Sequence, residues 1–160
     1  MTTTELWLLL SNIVTVFGLP LAIYVFAYQR QRDRESAEEA VFVSLSDAYL
    51  DFLRLVIANP DLRLRSAPAL PNPTEEQKER MLLVFDILVA LFERAYILTY
   101  ERDMEAEELR RWHSWEDYMR EWCRREDFRT VLPELLQGED PGFVEYIRGL
   151  AEEERESSLR

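Results

Sequence analysis

Cysteine, lysine and histidine are nearly absent from this 160-residue chain, with one of each at Cys123, Lys78 and His113, and glycine occurs only four times. A single cysteine excludes an intramolecular disulfide. Its setting, Glu121-Trp122-Cys123-Arg124, reads as a small apolar core residue in a reducing compartment. A single histidine cannot supply the paired Glu-x-x-His motifs of a dinuclear carboxylate bundle. His113 with Glu116 and Asp117 on one helix turn makes no metal centre by itself. No glycine-rich phosphate loop is present, nor any Ser-His-Asp or Cys-His arrangement. Strand patterns and internal repeats are lacking too. Neither a cofactor nor a catalytic activity is therefore expected.

Charge is the next absence. From Leu6 to Gln29 there is no formally charged residue, and Arg30, Arg32 and Arg34 follow at once. As a helix, Leu6 to Tyr28 is about 34 Å long, which exceeds a hydrocarbon core of about 30 Å. The front, Met1-Thr2-Thr3-Thr4-Glu5, lacks the basic n-region of a signal peptide, and Phe26-Ala27-Tyr28 is a poor cleavage site. Residues 1–29 thus read as a retained transmembrane anchor. Arginines on its carboxyl side place the N-terminus outside and residues 30–160 in the cytoplasm. Trp7, Tyr24 and Tyr28 suit interfacial positions. Within the span, Ser11, Thr15, Gly18 and Ala22 share one helix face, a small-residue seam through which backbones approach closely in lipid. Pro20, nearly opposite, removes an amide and favours a kink near Val16. Asn12 is a polar group at depth that can bond across an interface.

Beyond the anchor the chain is acidic. Net charge is -12, or -11 after Tyr28 once Glu5 is set aside, which opposes general affinity for nucleic acid or anionic headgroups. About 130 residues suffice for one modest core. The expected architecture is all-α: an N-terminal transmembrane helix, then a four- to five-helix cytoplasmic bundle over 30–151 and a charged, frayed tail over 152–160. From Leu21 to Asn59 there is neither Gly nor Pro, so the first helix can run on into the bundle. Ser36-Ala37-Glu38-Glu39, a capping-box pattern, offers the alternative of a fresh start. On this stretch Val41, Leu45, Ala48, Tyr49, Phe52, Leu55 and Val56 form an apolar stripe for the core. Val43, Leu50 and Ile57, seven apart, form a second stripe suited to a sister subunit or another helix.

Asn59 to Pro73 holds four prolines and reads as irregular. Thr74-Glu75-Glu76-Gln77 is another capping box, starting a helix near Glu75 that runs to about Arg102. Met81, Leu82, Phe85, Leu88, Val89, Phe92, Ala95, Tyr96 and Thr99 cover a wide arc, as in a central helix. Asp86, Glu93 and Arg94 argue against a second membrane span. Equal lengths suggest an antiparallel hairpin with the first helix. A third helix over about Ala106 to Arg124 carries Leu109, Trp112, Trp115, Met119, Trp122 and Cys123 on one side. A short helix around Asp127 to Leu136 and a turn at Gly138 follow. Asp140-Pro141 then makes an N-cap and first turn for a last helix with Phe143, Ile147 and Leu150 inward. Asp47, Asp51 and Arg54 read as a solvated, ion-paired face, and Asp86 with Glu93 as a polar edge.

The tryptophans are flanked by arginines, and three readings stand. They form an aromatic core seam, they meet the inner leaflet through Arg110, Arg111, Trp112 and Trp115, or they line a pocket with Arg129 for an anionic or aromatic ligand. The pattern Trp112-x-x-Trp115, Phe128-Arg129 and Gly142-Phe143-x-x-Tyr146-Ile147 resembles a group of uncharacterised bacterial proteins with an N-terminal membrane helix and a cytoplasmic helical bundle. That resemblance implies architecture, an anchored bundle in a bacterial inner membrane, and no activity, with Trp115, Phe128, Arg129 and Phe143 at the matching positions. Two classes of function remain. One is an anchored, self-associating module whose partners are the lipid bilayer, further copies of the chain and a cytoplasmic protein. The other is a sensor whose bundle binds a small molecule and alters membrane-helix packing or membrane integrity.

Overall fold

Helix caps and apolar periodicity set the element boundaries in the computed structural model, which describes residues 19–66 and 69–158. Five α-helices result: α1 Leu19–Ala58, α2 Glu75–Thr99, α3 Ala106–Cys123, α4 Glu126–Leu135 and α5 Pro141–Ser157, with a 3-10 turn at Pro60–Leu62. The described residues contain no strand, and the chain is all-α. Among them no helix is long and apolar enough to cross a membrane. Residues 6–18 of the predicted span, with Ser11, Thr15 and Gly18 of its seam, lie outside the described residues.

Two units make up the chain, Met1–Ser44 and Leu45–Arg160. In the first, α1 bares Leu21, Ile23, Tyr24, Val25, Phe26 and Tyr28. Ala22, the one described member of the seam, is exposed as well. The helix passes through Ser36 to Glu39 without a break, so the capping-box pattern there starts nothing.

In the second unit α2 packs on α3, α4 and α5, while α3 lies along α5. Thr74 caps α2 as its sequence anticipates: Thr74 Oγ1 accepts from the Gln77 amide, and Gln77 Oε1 accepts from the Thr74 amide. Asp140 Oδ1 accepts from the amides of Gly142 (2.9 Å) and Phe143 (3.0 Å), with Pro141 preset for the first turn of α5.

The core is aromatic, and its rings meet at the offset or edge-on geometries that quadrupoles favour. Trp122 stands at its hub: Phe52 of α1, Phe85 of α2 and Phe128 of α4 lie at centroid distances of 5.6, 6.1 and 6.4 Å. A second cluster joins Tyr96 and Tyr100 to Trp112 of α3 and Tyr146 of α5.

The structure corrects three expectations. Within this unit the part of α1 from Leu45 onward does not pair closely with α2 and meets α3 instead, through Tyr49 on Trp115 and Tyr118 and Phe52 on Trp122. Large rings hold the backbones apart, and the connection between α1 and α2 lends its own apolar residues, Leu62 and Leu64, to the core. Residues 152–157 of the charged end are helical, because α5 continues to Ser157 and Glu154 joins Arg120 and Arg124 of α3. Finally, Leu109 is exposed, one turn outside the buried face of α3.

Candidate functional site

Arg110, Arg111, Trp112, Trp115 and Arg129 do not converge on one site. Trp112 and Trp115 are 1% and 5% exposed and face the core. Arg110 and Arg111 are exposed, and Arg111 turns back along α3 to Glu107 at 2.8 Å. Arg129 donates to the carbonyl of Cys123 at 2.6 Å, which satisfies an acceptor left open at the end of α3. Burial of the indoles and diversion of the guanidiniums leave these residues placed as the aromatic-seam reading describes.

Polar groups gather instead where α3 and α5 meet. Trp112 Nε1–H donates to the Tyr146 hydroxyl (3.0 Å), which donates to Glu116 (2.7 Å). Arg120 bonds Glu116 and Glu153 at 2.8 Å, and Arg124 bonds Glu154 at 2.9 Å. Burial alone would raise the Glu116 carboxyl, but Tyr146 and Arg120 outweigh it and hold the group below the usual glutamate range. Burial and the bond to Glu116 push the Tyr146 phenol up. Every member has a partner, so the network is a clamp between two helices. Cys123, buried, has its thiol pushed up to about 12 by desolvation, which makes it a poor nucleophile.

Sequence reasoning missed two contacts of long chain separation. Glu93 Oε1 accepts from the Asp140 amide at 2.5 Å, and Glu139 hydrogen-bonds Glu93; that bond, burial and the Glu93 and Asp86 charges push Glu139 up to about 7. Arg125 donates to the carbonyls of Leu64 (2.7 Å) and Ser66 (3.1 Å) while paired with Asp127, tying the α1–α2 connection to the start of α4. Neither has a local sequence signal.

Among the concavities that the described residues of this unit form, two differ in character. One of about 450 Å³ lies beside Trp122, with Arg65 5.9 Å above the indole, and Arg124 and Arg125 on its wall. Its cations are engaged: Arg65 with Glu121, Arg124 with Glu154, Arg125 with Asp127. The other, about 650 Å³, is a groove between α2 and α4 lined by Met81, Leu82, Phe85 and Val131 with Glu79 and Glu134 at its rim. Among the described residues no cluster of His, Cys, Asp or Glu is arranged to hold a metal ion.

The stripe Val43, Leu50 and Ile57 is exposed by 51%, 50% and 76%. On α1, Asp51 and Arg54 are ion-paired and solvated.

No family model, curated protein or solved structure matches this chain.

Proposed function

We propose that this protein is a membrane-anchored, self-associating helical module that acts by binding and assembly without catalysis. The charge-free segment from Leu6 and the arginines after it support the anchor, held in a bacterial inner membrane with the bundle in the cytoplasm. Assembly would use the Ser11, Thr15, Gly18 and Ala22 seam in lipid and the Val43, Leu50 and Ile57 stripe beyond it. The observation that carries the reading is the exposure of that stripe on a helix whose other apolar stripe buries Leu45, Tyr49, Phe52 and Val56. A folded core does not require it, so its apolar residues are available to a partner.

Leu50→Glu tests this. Half-exposed, Leu50 can be replaced without opening the core, so helical content should stay within about a tenth of the parent's while self-association of the full chain falls by about tenfold, the cost of a charge in an apolar contact. Asp47→Asn and His113→Gln should change neither. Unaltered association in Leu50→Glu, or loss of activity in His113→Gln with assembly intact, defeats the reading. A second reading, a small-molecule sensor, is favoured by the concavity beside Trp122 alone, whose arginines are already neutralised.

A further inference from the structure

α2 is apolar on two opposite faces. One carries Val84, Phe85, Leu88 and Phe92 into the core; the other carries Leu83, Ile87, Ile97 and Leu98, exposed by 57%, 50%, 58% and 52%. Positions 83, 87, 90, 94 and 97 step by four and three along one line of the helix, a ridge about 21 Å long at 1.5 Å per residue. An exposed ridge of this kind marks an interaction surface.

The ridge matches itself at two pairs of positions. Leu83 and Ile97 are equidistant from Ala90, and so are Asp86 and Arg94. Where two copies cross antiparallel on Ala90, Leu83 is level with Ile97 of the partner subunit and Asp86 with Arg94 of the partner subunit. A two-fold axis makes each contact twice. Asp86 and Arg94 are both exposed, and neither has an ion pair among the described residues, so their charges remain to be matched. Ala90, small and exposed at the crossing point, lets the two backbones come close. From this register we propose that a second copy of the chain covers this face, α2 against α2, antiparallel and centred on Ala90. The surface is distinct from the α1 stripe and from the membrane seam.

The test is cysteine crosslinking of the full chain in cells. Ala90→Cys should give a disulfide-linked dimer under mild oxidation. Leu83→Cys alone should not, whereas co-expressed Leu83→Cys and Ile97→Cys copies should. In the Ala90→Cys background, Asp86→Arg and Arg94→Asp should each lower the dimer by about fivefold to tenfold, since two attractions become two repulsions, and the double change should restore it to within about twofold. Gly18→Ile should leave the crosslink in place. Absence of the Ala90→Cys dimer, equal crosslinking by Leu83→Cys alone, no rescue by the double change, loss of the crosslink in Gly18→Ile, or a disulfide from Ala90→Cys to another protein instead would overturn the proposal. Such failure alongside an intact Leu50→Glu effect leaves the proposed function standing, so the two are separable.

Discussion

Glu139 shows how a surface acid becomes a stability determinant. It bonds Glu93, and burial and the negative charges of Glu93 and Asp86 oppose its ionisation, so it is pushed up to about 7 from an ordinary 4.5. A folded-state value above the unfolded one means a contribution that is full below pH 4.5 and is lost as pH rises through 7. Glu116 and Glu154 have the opposite sign: held below their ordinary values, they stabilise above it and lose that contribution as the medium turns acid. Glu139→Gln keeps a donor for Glu93 and removes the charge. Its melting temperature should match the parent's at pH 4.5 and exceed it at pH 8 by a few degrees, about 1 kcal/mol after solvent screening. A constant difference across that range would show that Glu139 titrates normally.

At the scale of elements, what was legible in sequence was local and what was not was distant. Caps are local: Thr74 with Gln77, and Asp140 with Pro141, start α2 and α5 where their side chains say they should. Ser36 with Glu39 has the same form and starts nothing, because propagation along an existing helix needs no new nucleus. Apolar spacing found the inward faces of α1, α3 and α5, yet spacing alone cannot say which of two apolar faces is covered, and so Leu83, Ile87 and Ile97 passed without notice. The Pro-rich connection hid Leu62 and Leu64, since isolated apolar residues carry no period. Arg125 and Glu93 act across gaps of many residues, where sequence offers no register. One glycine is fixed by such a contact: a Cβ at Gly142 would come within 3.1 Å of the Tyr96 hydroxyl and of Asp140. Asp140→Ala, which removes two cap bonds at the start of α5, should cost about 1 kcal/mol, and Asp140→Asn much less. Chemical denaturation of the full chain measures both; equal stability of the three proteins would mean that the cap is dispensable.

For the whole molecule, the acidic bundle and the arginines ahead of it pose an orientation problem that a membrane can solve. Net charge is -12, while Arg30, Arg32 and Arg34 stand directly after the charge-free segment. Topology follows basic residues near a span and is little affected by acids farther away, so the three arginines should outweigh the many carboxylates and keep the bundle inside. The exposed Leu21, Ile23, Tyr24 and Phe26 of α1 would then lie in or beside lipid. The full chain is expected in the membrane fraction and should resist alkaline carbonate, and a reporter that works only outside the inner membrane should be silent when fused after Arg160. Replacing Arg30, Arg32 and Arg34 together by Glu removes the retention signal without touching the bundle core, and that reporter should then gain activity in a measurable share of molecules. Carbonate release of the parent would end the anchor model. An active reporter on the parent, with retention in the membrane, would instead reverse the orientation and put the α2 face and its partners on the other side.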